Sequence, residues 1–172
     1  NLNKADNDGR TPLYEATDEG RKEIVRMLID AGANLNKARD DGRTPLYMAS
    51  YKDHKEIVRM LIGAGADLNK ADNNGRTPLY WASDEGHKEI VRMLIDVGAN
   101  LNKVRDNGET PLLQASYKDH KEIVRMLIGA GADLNKADND GRTPLYWASV
   151  KSHKEIAKML REAGAKEKND NK

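Results

Sequence analysis

The sequence predicts an all-α solenoid of five stacked helix–turn–helix units with β-turn tips. Three observations lead there. The tetrapeptide Thr-Pro-Leu-Tyr at Thr11–Tyr14 returns at Thr44–Tyr47, Thr77–Tyr80 and Thr143–Tyr146, and in altered form as Thr110-Pro111-Leu112-Leu113. The step is 33 residues each time and uses all five prolines. Fixed periods of this length are the mark of repeat architectures. Each period also holds apolar residues at helical spacing, yet too few to enclose a core of its own, so units must stack.

The first unit sets the pattern. Asp6-Asn7-Asp8-Gly9 is turn chemistry. Thr11 followed by Pro12 is a helix start, because the hydroxyl can cap free N–H groups and proline loses nothing at the first helical position. The first helix is expected over Pro12 to Thr17, with Leu13 and Ala16 on its packed side. Gly20 permits a tight reversal. A second helix is expected over Lys22 to Asp30, with Ile24, Val25, Leu28 and Ile29 as its apolar stripe. Gly32 stands where a left-handed C-cap is wanted, and Ala33 to Ala38 leads into the next turn. The boundaries are therefore 6–38, 39–71, 72–104, 105–137 and 138–165. Residues 1–5 read as the tail of a preceding repeat, and 166–172 as a charged, disordered tail.

Turn, helix, reversal, helix at this period resembles the ankyrin repeat. The likeness is carried by the Asp-x-x-Gly turn, the Thr-Pro-Leu start, Ala16, Glu23-Ile24-Val25, Gly32-Ala33-Asn34-Leu35-Asn36 and Gly65-Ala66-Asp67-Leu68-Asn69. There are departures. Tyr, or Leu113 in unit four, stands where the family has His after Thr-Pro-Leu. The glycine between the helices becomes Asp53, Asp119 and Ser152. These residues tolerate a left-handed backbone less well than glycine, so a modest local cost is expected. In unit five the stripe carries Ala157 and Arg161, which suits a capping repeat with a wet outer face. Unit one keeps Val25 and Ile29, so its outer face is expected to be less well covered.

Comparison of the units separates scaffold from variable positions. The residue after the tyrosine position is Glu15, Met48, Trp81, Gln114 or Trp147. Three residues on come Asp18, Tyr51, Asp84, Tyr117 or Val150. Offsets of three and four place these on one stripe of the first helix, away from the packed side. The resemblance implies that this stripe and the turn tips form a concave groove that grips partners. Carried onto this chain, the groove would hold Met48, Tyr51, Trp81, Gln114, Tyr117, Trp147 and Val150, with Arg10, Arg43, Arg76 and Arg142 along its edge. Aromatics and Arg are the residue types enriched at binding hot spots. The competing reading makes the indoles partial packing residues and the Arg row a solvated face. A 66-residue alternation overlies the repeat: units two and four share Tyr-Lys-Asp-His, units one and three Asp-Glu-Gly.

Chemical readings fail one by one. Cysteine is absent, which removes disulfides and thiolates. His54, His87, His120 and His153 recur once per layer instead of converging on a point, so structural hydrogen bonding is expected and no metal. The tyrosines at 14, 47, 80 and 146 read as a packing ladder. Ser50, Asp53 and His54 are close in sequence, but a working triad needs aligned geometry and an oxyanion site. Gly63-Ala64-Gly65 follows a helix instead of opening one, so no dinucleotide site is implied. No enzymatic activity and no cofactor are expected.

The leading expectation is a protein–protein interaction scaffold that takes a protein or peptide in a preformed groove. Two alternatives stay open. Near-identical units would suit a designed or consensus repeat protein with no natural partner, or a designed binder. Arg39, Arg105 and the Arg row could meet a polyanion, yet nucleic acid is disfavoured because 29 basic residues face 28 acidic ones. No membrane span and no signal peptide are legible. A monomer is expected, intracellular (cytoplasmic) or recombinant, with the N-terminal layer as the place where self-association would start.

Overall fold

A computed structural model describes residues 1–167 and places ten α-helices there, two per repeat. The first helices are α1 (Pro12–Asp18), α3 (Pro45–Tyr51), α5 (Pro78–Glu85), α7 (Pro111–Tyr117) and α9 (Pro144–Val150). The second helices are α2 (Lys22–Asp30), α4 (Lys55–Gly63), α6 (Lys88–Asp96), α8 (Lys121–Gly129) and α10 (Lys154–Glu162). The first helix of unit one ends at Asp18, one residue beyond its expected end; the second has its expected bounds.

Threonine starts every first helix. Thr11, Thr44, Thr77, Thr110 and Thr143 are extended, and each hydroxyl accepts the N–H three residues on at 3.1 Å. This satisfies one donor that the helix cannot, while proline occupies the next position. The reversals need a left-handed residue: Gly20 and Gly86 supply it freely at φ 71° and 78°, whereas Asp53, Asp119 and Ser152 adopt φ 61°, 64° and 61°.

Each helix pair packs on the pair before and after it, and one continuous core runs the length of the stack. Leu46, Leu79 and Leu112 from the first helices meet Val58, Leu61, Val91, Leu94, Val124 and Leu127 from the second. Both long edges are also pinned. At the tips, the N–H groups of Asp40, Asn73, Asp106 and Asn139 donate to the carbonyls of Asp8, Asp41, Asn74 and Asn107 in the preceding unit, at 2.9–3.1 Å. At the other edge, Asn3, Asn36, Asn69, Asn102 and Asn135 each accept, at 2.8 Å on Oδ1, an N–H from the following loop.

The ends differ. Ile24 is 42% exposed and Met27 69%, although Ile57, at the Ile24 position of unit two, is 1% exposed. That side chain faces the preceding layer, and in unit one nothing among the described residues covers it. At the other end Arg161 is exposed and pairs with Glu167 at 2.6 Å, while Ala157 closes the core. Of the stretch expected to be a disordered tail, Lys166 donates its N–H to Asn135 and Glu167 holds Arg161; residues 168–172 lie outside the described residues. Among the described residues no helix is long and apolar enough to cross a membrane.

Candidate interaction surface

The first helices are seven or eight residues long, about two turns, so each offers two rungs on its unpacked side. The first rung carries Glu15, Met48, Trp81, Gln114 and Trp147; the second carries Asp18, Tyr51, Asp84, Tyr117 and Val150. Because first helices of successive units lie side by side, the rungs align into a strip crossing all five layers.

Two aromatic nests stand on this strip. In the first, Trp81 is half-buried among Tyr51, Tyr80 and Tyr47, all edge-on, with ring centroids at 4.9, 5.7 and 6.2 Å. Edge-to-face contacts of this kind suit the ring quadrupoles. The indole N–H donates to the Tyr47 hydroxyl. That hydroxyl donates in turn to Asp72 Oδ2 at 2.8 Å. Asp72 pairs with Arg76 at 2.8 Å, and the Arg76 guanidinium lies 5.0 Å over the Trp81 ring. The circuit closes on itself and fixes the indole. Burial would raise the Asp72 carboxyl, but the Arg76 N–H, the Tyr47 hydroxyl and the Arg76 guanidinium outweigh it and hold the group below its usual range. Burial, reinforced by Asp72, pushes the Tyr47 phenol well above its usual range.

The second nest repeats the first two layers on. Trp147 meets Tyr117 and Tyr146 edge-on at 5.1 and 5.5 Å, under Arg142 at 5.1 Å. Leu113 has no hydroxyl to offer where unit two has Tyr47, and the indole N–H turns to Asp138 Oδ2 at 3.4 Å. Lys151 Nζ sits 4.5 Å above the Tyr117 ring. Tyr51 and Val150 are the open apolar members, 38% and 57% exposed.

Met48 corrects the sequence expectation. It is 4% exposed and clusters with Tyr14 and Tyr47, with Trp81 packed against them. The large side chain at the same rung of the next unit covers it, so Met48 supports the nest and offers no open surface. Gln114 is half-buried and donates to Asp84 Oδ1, which also faces Lys118 at 3.5 Å.

The arginine edge is largely engaged already. Arg10 pairs with Asp8 and Glu15 at 2.8 Å, Arg43 with Asp41 at 3.2 Å, and Arg142 with Asp140 at 3.0 Å. Arg43 also lies 5.8 Å over the Tyr47 ring. Unit four swaps its charges: Arg105 pairs with Glu109 at 3.1 Å and lies 5.7 Å over Tyr80. The Tyr80 hydroxyl, buried beside this pair, is pushed up to about 12 chiefly by burial. Sequence reasoning did not single out Asp72 and Glu109 as anchors of the edge. The signal was present as opposite charges four apart, Asp72–Arg76 and Arg105–Glu109, inside the turn.

Elsewhere the polar residues are structural. His87, His120 and His153 donate to the carbonyls of Tyr51, Asp84 and Ser116 at 2.9–3.0 Å, one layer back. His54 Nε2 has no hydrogen-bond partner and its ring lies against Gly20. Ser50 is fully buried with its hydroxyl unbonded, and Ser116 gives its hydroxyl to Leu112, so no Ser–His relay forms. Among the described residues no three His, Cys, Asp or Glu gather to hold a metal. A depression of about 540 Å³ beside the second helices is lined by Lys88, Lys121, Glu122 and Glu155. These four already pair as Lys88–Glu122 at 3.2 Å and Lys121–Glu155 at 3.0 Å.

The family model described as ankyrin repeats (3 copies) matches residues 33–105 and 97–171, and the one described as ankyrin repeat matches residues 8–40. No curated protein matches the chain.

Proposed function

The chain belongs to the ankyrin-repeat family, and from that premise we propose that it is an interaction module without catalytic activity, which seats a protein or peptide partner across the strip of first helices. The observation that carries this reading is the pair of aromatic nests. Two indoles stand half-open, each in T-shaped contact with tyrosines and with a guanidinium over its ring. Such side chains lose little freedom when a partner lands on them, so more of the contact energy appears as affinity. The contact residues are Tyr51, Trp81, Gln114, Tyr117, Trp147 and Val150, with Arg10, Arg43, Arg76 and Arg142 as the engaged rim.

The test is partner capture by the parent chain, repeated with Trp81→Ala/Trp147→Ala. Binding by the double variant should fall at least about a hundredfold, the loss of two hot-spot side chains. A double variant that is still folded and retains the parent's affinity would remove the strip from consideration.

A second reading is favoured by one observation. Helices α2 and α6 have identical sequences, as do α4 and α8. Such regularity suits a consensus-built array with no natural partner, and consensus repeats are unusually designable. That reading expects a very high melting temperature and no specific capture. A polyanion partner is not supported, because the arginine rim already holds carboxylates.

A further inference from the structure

Resting on the interaction reading, we infer that the occupant of the strip is an extended peptide segment bearing two apolar side chains about six residues apart, with a basic residue at the first and an acidic residue at the second.

The spacing follows from the fold. The nests lie at the seams between units two and three and between units four and five, two layers apart. Packed helices stand roughly 9 Å apart, which puts the nests about 18 Å apart. An extended chain advances about 3.3 Å per residue, so between five and six residues, roughly, bridge that distance. Side chains of an extended strand alternate in direction, so two that face the same surface are an even number apart. A polyproline II segment has about three residues per turn and 3.1 Å per residue, and it selects the same number. The intervening rung fits this, since Gln114 and Asp84 are tied to each other and offer no apolar foothold.

The charge pattern follows from what is already paired. One repeat position, just past the second rung, holds Glu19, Lys52, Glu85, Lys118 and Lys151. Glu19 pairs with Arg21, Lys52 with Asp18, and Lys118 with Asp84. Glu85 and Lys151 make no ion pair among the described residues. Glu85 stands four residues beyond Trp81 on the same helix, and Lys151 four beyond Trp147. An acid without a cationic partner at one nest, and at the other a base held only over the Tyr117 ring with no carboxylate beside it, give the groove a polarity. They select a peptide whose own charges run in the complementary order, and disfavour the reverse.

The experiment is selection from a displayed library of random peptides long enough to span both nests, with Trp81→Ala/Trp147→Ala as counter-selection. Enriched peptides should share two apolar residues six apart, a base near the first and an acid near the second. A fluorescent copy of an enriched peptide should lose about tenfold in affinity when one residue is inserted between its anchors. The pair Glu85→Lys/Lys151→Glu alters no buried side chain, though it takes the cation off the Tyr117 ring, and should prefer the charge-reversed peptide. Peptides that need the tryptophans but show other spacings, or indifference to the insertion, overturn the inference and leave the strip as a contact surface. A charge-reversed variant with unchanged preference overturns the polarity. Failure to enrich any peptide that distinguishes parent from double variant overturns the extended-segment occupant, while capture of a folded partner through the same tryptophans would preserve the broader reading.

Discussion

Two glycines separate the cost of a backbone angle from the cost of disturbing the seam between layers. Gly32 and Gly42 hold nearly the same conformation, φ 84° and 86°. A methyl group at Gly32 would meet nothing within 4 Å, but at Gly42 it would lie 2.8 Å from Asn73 Oδ1, 2.9 Å from Asn73 N and 2.9 Å from Asp72 Cα. Gly32→Ala therefore reports the left-handed penalty, net of the lower entropy of the unfolded alanine chain, about 1 kcal/mol. Gly42→Ala adds overlap with the backbone of the next unit, about 2 kcal/mol more, because Asn73 is held by its N–H to the Asp41 carbonyl at 2.9 Å. For 172 residues each kcal/mol is worth about 3 °C. Melting followed by far-ultraviolet circular dichroism should fall by about 3 °C for Gly32→Ala and about 9 °C for Gly42→Ala. Equal shifts would show that the tips are not rigidly seated on one another and that the surface is not preformed.

Three further outcomes are expected. Asp53→Gly, Asp119→Gly and Ser152→Gly relieve left-handed strain in separate units, so together they should raise stability by about 1.5 kcal/mol, additively; a lower melting temperature for the triple variant would contradict this. The native Tyr80 phenol is raised from 10.0 to about 12, so its contribution is complete below pH 10 and is lost as the pH climbs toward 12. Urea midpoints should decline across that window, and Tyr80→Phe should lessen the decline. Asp72 is held below the carboxylate range, so its contribution is present above the ordinary carboxylate pKa and disappears only as the pH falls through the native value. Asp72→Asn should cost about 3 kcal/mol at neutral pH, since it leaves Arg76 uncompensated, and the deficit in urea midpoint should narrow in acid.

Helix positions were legible because their causes are local. Thr-Pro specifies a start within four residues, and the apolar spacing of Ile24, Val25, Leu28 and Ile29 specifies a face within one helix. The exposure of a rung residue is not local. Met48 and Trp81 occupy the same repeat position, yet one is buried and the other half-open, because what covers a rung is the side chain on the following layer. The circuit through Trp81, Tyr47, Asp72 and Arg76 draws on two units. Reading it from the chain would require the lateral offset between layers, which composition and periodicity do not contain. The histidine ladder was legible in kind for His87, His120 and His153 but not for His54, whose Nε2 has no partner, and the acceptors, carbonyls one layer back, were not legible.

The nests sit astride joints. Tyr47 and Tyr51 come from one unit, Trp81 and Arg76 from the next; Tyr117 and Trp147 divide in the same way. Transplanting a solitary unit would carry half of a nest and orphan the other half, while excising the segment 39–104 or 105–165 would move a complete one. The smallest portable cassette is thus a couple of adjacent units. Shuffling by doublets would keep each aromatic nest whole, whereas shuffling by singlets would break both.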